Sequence, residues 1–214
     1  MRNIIAFLMF VVLIGGCVST SISVPRGEEY YTRTNIWYKD PAKIPSTNYI
    51  DGAFLPLGTK IKMLDCGGVQ VKFVDINRGQ SYTIIFVRKH TTITAEEQFD
   101  RYFSKRNVVD TKGDFFKLSP KEQEAVKKGA IFDGMSKKAV LMALGYPPSH
   151  KTPDLTSNVW FYWGHRAVFS VYFMDDVVVK YDSEMRVSPF ETRWQYKTES
   201  LGQSAKDSGI GNGK

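Results

Sequence analysis

Histidine side chains and paired carboxylates are the groups in this sequence that could bind a metal or transfer a proton. The histidines are His90, His150 and His165, and none has a second histidine or a cysteine two to four positions away. A metal site built on one strand or helix normally needs such a spacing. We therefore interpret the three histidines as surface residues and expect no metal site.

Two acidic pairs, Glu96-Glu97 and Asp175-Asp176, have structural interpretations too. The first lies in the opening turn of a predicted helix and the second in a predicted hairpin turn, where carboxylates are common. The sequence also lacks the Gly-x-Ser-x-Gly, Gly-rich phosphate-loop and His-Glu-x-x-His motifs. We predict that the protein is not an enzyme and has no cofactor or small-molecule substrate. An enzyme would need a polar cluster assembled from residues distant in sequence.

Cys17 follows a stretch typical of an export leader. Arg2 supplies the positive charge, and the apolar run at residues 4–14 is shorter than the roughly 20 residues that span a bilayer. Ile14-Gly15-Gly16-Cys17 resembles the bacterial lipobox, whose cysteine is acylated and becomes the mature N-terminus. The alternative is an ordinary secretory leader with a cysteine at its cleavage site.

Lipidation of Cys17 implies a location. Val18 follows the cysteine where an Asp would indicate retention in the inner membrane, so the rule for Gram-negative lipoproteins implies the outer membrane, facing the periplasm. Two or three acyl chains, at about 0.8 kcal/mol per buried CH₂, anchor a protein stably. Cys66 then has no intramolecular disulfide partner. We interpret it as a buried thiol in a strand, with a reactive or intermolecular thiol as the alternative.

The first half of the chain alternates as strands do. Within residues 48–90, Val69, Val71 and Phe73 share one face and Gln70 and Lys72 the other, which predicts an antiparallel meander. The residues 55–59, Leu-Pro-Leu-Gly-Thr, resemble the start of SH3-like domains. A capping box at residues 94–97 predicts a helix after the strands. We therefore predict a signal peptide at residues 1–16, a flexible tether at 17–34 and a β-rich domain with a C-terminal helix at 35–110.

The second half has a different order of elements. A capping box with Pro120 at the first helical position begins one helix, and Ser136 begins another that ends at Gly145. Three apolar, strand-like runs follow between residues 159 and 181. We predict an ααβββ domain at residues 111–196 and a disordered tail at 197–214. The predicted fold class is α+β.

A set of short motifs in residues 130–182 is similar to the SmpA/OmlA, or BamE-like, family of outer-membrane lipoproteins. The matching residues are Gly134-Met135-Ser136, Val140, Leu144-Gly145-x-Pro147, Trp160-x-Tyr162, Val171-x-Phe173 and Val177-Val178. The resemblance implies two helices packed against a three-stranded antiparallel sheet and a role in the assembly of the outer membrane. About ninety mature residues precede the matching part, whereas family members typically consist of little more than this domain.

The formal charge of +7 is spread evenly along the chain, so it does not predict a nucleic-acid groove. Lys60, Lys62 and Lys72, on the polar faces of adjacent strands, are candidates for an anionic surface site. The alternative for these lysines is a solvated strand face. Loss of Arg2 with the leader would lower the charge by one.

Trp160, Tyr162 and Trp163 are the candidate residues for binding a partner, because aromatic side chains are common at protein interfaces. Packing in the core is the alternative. The sequence thus favours a non-catalytic outer-membrane lipoprotein that acts as a protein-interaction module in envelope assembly or integrity. The second hypothesis is a module that binds peptidoglycan or anionic lipid headgroups through its N-terminal β domain.

Overall fold

The computed structural model describes residues 22, 24–165 and 167–182. The predictions for the signal peptide, for Cys17 and for the tail at residues 197–214 therefore lie outside the described residues.

Within the described residues, twelve strands and three α-helices make up the fold. The helices are α1 (Ala95–Tyr102), α2 (Pro120–Lys127) and α3 (Lys137–Leu144). The strands are β1 (Glu29–Thr32), β2 (Ile36–Tyr38), β3 (Ile44–Pro45), β4 (Tyr49–Ile50), β5 (Ala53–Leu55), β6 (Lys60–Gly67), β7 (Gln70–Asp75), β8 (Ser81–Ile85), β9 (Phe103–Ser104), β10 (Val159–Gly164), β11 (Val168–Met174) and β12 (Val177–Tyr181).

The first sheet has six strands in the order β3-β8-β7-β6-β1-β9. Its centre is the antiparallel meander of β6, β7 and β8, which confirms the alternation predicted for this region. Ile61, Val71 and Ile84 point inward and are fully buried, and α1 packs on them through Phe99. A smaller sheet pairs β2 with β5.

The second large sheet has the order β12-β11-β10-β4. Strands β10, β11 and β12 form the predicted antiparallel meander, and β4 adds a parallel strand through the pairs Trp163–Tyr49 and Gly164–Ile50. Helices α2 and α3 cover its inner face. The core between them contains Val126, Val140, Leu144, Trp160, Tyr162 and Val171.

Residues from the first half also enter this second core. Trp37, Ile50 and Leu57 are buried in it. The side-chain amide of Asn35 donates to the backbone oxygens of Val126 (2.8 Å) and Ala143 (3.1 Å), near the C-terminal ends of α2 and α3. The two predicted domains therefore share buried contacts.

The predicted starts of the three helices and the predicted end of α3 are confirmed. The capping boxes of α1 and α2 are both present, and the Ser136 side chain accepts from Ala139 N–H at the start of α3. Gly145 ends α3 with a φ of 79°, a conformation that a glycine adopts without the Cβ clash of other residues. These signals are local, so neighbouring residues suffice to specify them.

The predicted fold class, α+β with an SH3-like meander and a separate ααβββ domain, is wrong. The structure is mostly β, with strands in three curled sheets and three eight-residue helices. The sheet predicted to have three strands has four, because β4 joins it from the first half of the chain. Strands of two residues, such as β3, β4 and β9, are too short for a periodic signal and form only where a distant strand offers hydrogen bonds.

The flexible tether predicted for residues 17–34 is wrong for Glu29–Thr32, which form β1. This strand lies between β6 and β9 in the first sheet. Thr32 is completely buried, and its hydroxyl donates to the backbone oxygen of Pro56 (2.7 Å). The polar composition of residues 17–34 gives no indication of this strand, because the strands that pair with it are distant in the sequence.

Candidate functional site

The face of the second sheet that points away from α2 and α3, here called the outer face, is apolar and exposed. Met174 is 61% exposed, and Phe161 and Val168 are each 37% exposed. Because side chains alternate along strands, these residues lie opposite the buried inner set. The outer face consists of Val159, Phe161, Trp163, Val168, Ser170, Tyr172, Met174, Val177, Val179 and Lys180. Lys180 belongs to it because an irregularity in the pairing of β11 with β12 places Lys180 opposite Tyr172.

The composition of the outer face departs from that of an ordinary antiparallel sheet. Such a sheet normally packs one face on the core and presents polar residues to water on the other. Here the outer face is mostly apolar too, with Ser170 and Lys180 as its polar members. Neighbouring pairs such as Trp163–Val168 and Met174–Val177 join the exposed apolar residues of three strands into one patch. Contiguous exposed apolar surface of this kind marks interaction sites.

A row of stacked rings, here called the ring row, extends the outer face at the end near β4. It consists of Tyr49, Trp163, His150 and His90. Tyr49 stacks on Trp163 with ring centroids 5.7 Å apart, and His150 lies 6.3 Å from Trp163 on a nearly parallel plane. The His90 ring is 4.8 Å from that of His150. The ring row therefore joins four separate segments of the chain, and only Trp163 was a predicted site residue.

The loops that carry the two histidines also hydrogen-bond each other. Nδ1 of His150 lies 2.9 Å from the backbone oxygen of His90, which can only accept, so Nδ1 is the donor. The hydroxyl oxygen of Ser149 accepts from Thr92 N–H (2.9 Å). His90 and His165 are exposed, as predicted, whereas His150 is half-buried.

His165 binds a carboxylate beside the ring row. Its Nδ1 lies 2.9 Å from Oδ2 of Asp51, which also accepts from Lys39. Burial alone would raise the pKa of Asp51, but the hydrogen bonds from Lys39 and His165 outweigh it and lower that pKa. Asp51 is therefore ionised and already paired, which makes it a poor general base.

Two of the predicted partner-binding residues are in the core. Trp160 is 1% exposed and Tyr162 is 0% exposed. The hydroxyl of Tyr162 donates to the backbone oxygen of Gly145 (3.0 Å) at the end of α3. A partner cannot reach these two side chains without unpacking α3 from the sheet. Trp163, one position further along β10, is half-buried and faces outward.

Lys60, Lys62 and Lys72 lie on the polar face of the first sheet, as predicted. Their positive charge is partly neutralised, because Lys60 forms an ion pair with Glu29, and Asp65 pairs in register with Lys72. The hydrogen bond from Lys60 lowers the pKa of Glu29, so this carboxylate stays ionised. The three lysines therefore share their face with two carboxylates.

Cys66 is half-buried at the end of β6. Burial raises the pKa of its thiol, although a backbone hydrogen bond near Val24 acts in the opposite direction. The reactive thiolate is thus disfavoured. Across residues 24–165 and 167–182, no group of three or more His, Cys, Asp or Glu side chains is arranged to hold a metal ion. In the same part of the chain, no helix has the length and hydrophobicity needed to cross a membrane.

Comparisons with known protein families, with curated proteins and with solved structures find no match to this chain.

Proposed function

We propose that this protein is a non-catalytic lipoprotein of the outer membrane that faces the periplasm and binds other envelope proteins, in envelope assembly or integrity. The observation that carries the proposal is the exposed apolar outer face of the second sheet, continuous with the ring row. The leader and Gly15-Gly16-Cys17 support the lipid anchor and the location. The motifs of residues 130–182 support a relationship to the SmpA/OmlA family.

A partner on this sheet would contact the face and not the β12 edge. The backbone of the segment before α3 already occupies that edge: Gly134 N–H donates to Val178 O (2.6 Å), and Val178 N–H donates to Met135 O (2.8 Å). A partner therefore cannot extend the sheet here as an added strand. It would bury Phe161, Val168 and Met174 as side chains, the arrangement typical of an apolar interface core.

The proposal is tested by site-specific photo-crosslinking in intact cells. A photoreactive residue at Phe161 or Met174 should give a discrete crosslinked protein. The same residue at Phe116, which is 50% exposed but lies outside the outer face, is the matched control and should not crosslink to that protein. A charge within the face, Val168→Glu, should abolish the crosslink formed from Met174. Equal crosslinking from Phe116 and Met174 would contradict the proposal.

Lipidation is tested separately. The variant Cys17→Ser should accumulate as an unprocessed precursor without acyl chains, measured by mass spectrometry and membrane fractionation. Normal processing of this variant would exclude the proposed anchor.

The second candidate function is binding of peptidoglycan or anionic lipid headgroups through Lys60, Lys62 and Lys72. The observation that favours it is that the three lysines share one exposed face of the first sheet. The double variant Lys60→Glu/Lys62→Glu should then lose co-sedimentation with peptidoglycan or anionic vesicles, while Lys180→Glu, on the other sheet, should retain it. Sedimentation that is unchanged in the double variant would exclude this candidate.

A further inference from the structure

Five basic residues from two distant loops meet at one end of the outer face. They are here called the basic rim, and they are Arg88, Lys89, His90, His150 and Lys151. The first three form a short 3₁₀ turn after β8, and the other two lie in the loop between α3 and β10. The hydrogen bond from His150 Nδ1 to the backbone oxygen of His90 joins the two loops. Folding thus gathers basic residues that are spread evenly along the sequence.

The basic rim is continuous with the apolar outer face through Trp163. The ring of His150 lies 6.3 Å from the ring of Trp163, and Nζ of Lys151 lies 5.7 Å from the same ring. Trp163 in turn pairs in register with Val168 on the outer face. A partner that covers Trp163 and Val168 therefore comes within reach of the basic rim.

The positive charge of the basic rim is not neutralised by a carboxylate. Across residues 24–165 and 167–182, none of its five residues forms an ion pair, whereas several other exposed lysines do. Carboxylates close to it in the sequence are already engaged: Asp51 is ion-paired, Asp154 accepts from Thr156 with both oxygens, and Glu97 closes the capping box of α1. Like charges held close together repel each other, and carboxylates of a partner would relieve that repulsion.

The distribution of charge favours a polypeptide over a lipid surface as the source of these carboxylates. The end of the outer face opposite the basic rim is the turn of Asp175 and Asp176, where Asp175 is exposed and Asp176 is ion-paired. Lys180 and Asp182, between the two ends, carry opposite charges. Unpaired positive charge is thus concentrated at one end. A bilayer presents similar charge everywhere, whereas a polypeptide can place carboxylates at the basic rim and apolar side chains on the rest.

We propose that the basic rim binds a cluster of carboxylates on the protein that covers the outer face, so that the partner carries acidic residues next to an apolar segment. This inference rests on the proposed function, because it assigns the chemistry of the partner at the same site. The apolar face supplies the area that is buried. The basic rim supplies the charge complementarity that orients the partner and accelerates association.

Charge reversal tests the role of the basic rim. In cells that carry a photoreactive residue at Met174, the double variant Lys89→Glu/Lys151→Glu should lower the yield of crosslinked partner about tenfold. The matched control is Lys121→Glu/Lys127→Glu, which changes the net charge equally at exposed positions of α2, on the opposite side of the sheet. The control should leave the yield unchanged, and circular dichroism checks that both variants fold. Equal yields from the native chain and the rim variant would overturn the inference.

A second crosslinking position reports the chemistry of the partner directly. Thr92 is exposed beside the basic rim, so a photoreactive residue there leaves all five basic residues in place. It should capture the same protein as the photoreactive residue at Met174. Mass spectrometry of the crosslinked peptide should place the attachment in a segment with a cluster of Asp or Glu residues, and neutralising that cluster should lower the yield as charge reversal of the rim does. Attachment to a segment without acidic residues would contradict the inference.

Failure of this inference is distinguishable from failure of the proposed function. If Phe161 and Met174 crosslink a protein whose yield is unaffected by Lys89→Glu/Lys151→Glu, the inference is excluded and the proposed function remains. If neither position crosslinks a protein, the proposed function fails and the inference fails with it. If Thr92 crosslinks lipid alone and the rim variant no longer floats with anionic vesicles, a membrane contact replaces the inference.

Discussion

The carboxylate of Glu122, in the first turn of α2, accepts two hydrogen bonds from Ser136, the N-cap residue of α3. The distances from Oε1 are 2.9 Å to Ser136 N and 2.6 Å to Ser136 Oγ. Oε2 accepts from Ser119 N (3.0 Å) and Ser119 Oγ (2.8 Å), which completes the capping box of α2. One carboxylate therefore holds the starts of both helices together.

Removal of this carboxylate should destabilise the protein. Glu122→Ala leaves the N–H groups of Ser119 and Ser136 without their acceptors, and the expected loss is about 2–3 kcal/mol in the free energy of unfolding. The measurement is urea denaturation followed by circular dichroism. Glu124→Ala is the matched control, because Glu124 is exposed and its ion pair with Lys128 joins residues one helical turn apart, so its loss should be under about 0.5 kcal/mol. Similar losses for the two variants would contradict the role assigned to Glu122.

The carboxylate of Glu122 should also make the stability of the protein depend on pH. Burial would raise the pKa of Glu122, but the hydrogen bonds from Ser136 and Ser119 outweigh burial and lower it. A group with a lowered folded-state pKa contributes its full stabilisation above its unfolded pKa, about 4.3, and loses it as the pH falls through the folded value. The stability difference between the native protein and Glu122→Gln should therefore shrink below about pH 4. A difference that stays constant between neutral pH and pH 3 would show that the charge of Glu122 is irrelevant.

Asn35 should be among the most sensitive polar positions. Its side chain is buried, donates to the backbone oxygens of Val126 and Ala143, and accepts from Leu57 N–H (2.9 Å). Asn35→Ala leaves these buried groups unpaired, with an expected loss of roughly 3 kcal/mol. Asn77→Ala, in an exposed turn, should cost less than about 1 kcal/mol. Equal midpoints of urea unfolding for the two variants would argue against Asn35 as a link between the halves of the chain.

Alanine substitutions at two glycines distinguish the free-energy cost of a positive φ from the additional cost of a steric clash. Gly79 and Gly129 both have a positive φ, 69° and 63°. A Cβ at Gly79 meets nothing within 4 Å, whereas at Gly129 it would lie 2.6 Å from the Trp37 ring and 2.8 Å from the Phe54 ring. Gly79→Ala should lose about 1 kcal/mol, and Gly129→Ala about 1–3 kcal/mol more. Thermal unfolding measures both, and indistinguishable melting temperatures would mean that the rings move aside freely.

How much of the fold was predictable depended on the distance between interacting residues. The capping boxes at Thr94 and Ser119 and the meander of β6, β7 and β8 involve near neighbours, and each is confirmed. The insertion of β1 between β6 and β9, and of β4 beside β10, joins segments far apart in the sequence. A single sequence carries no local signal for such pairings, so the predicted fold class was wrong.

The candidate site was likewise predictable where it depends on neighbouring residues, and not where it depends on contacts between distant segments. The alternation in β10 placed Trp160 and Tyr162 on one face and Trp163 on the other, but it did not say which face α3 covers. That choice depends on packing, and the structure places Trp160 and Tyr162 inside. The clustering of Tyr49, Trp163, His150 and His90 had no sequence signal, because the four residues belong to four separate segments that meet only in the folded chain.

The sequence by itself determined the leader-like start, the caps, the turns and the strand periodicity, because each depends on residues within a few positions of one another. Only the tertiary structure decided that Asn35 and Trp37 enter the core around α3, and that the second sheet exposes an apolar face. These features depend on the burial of side chains against partners distant in the chain, and burial is a property of the whole packed molecule.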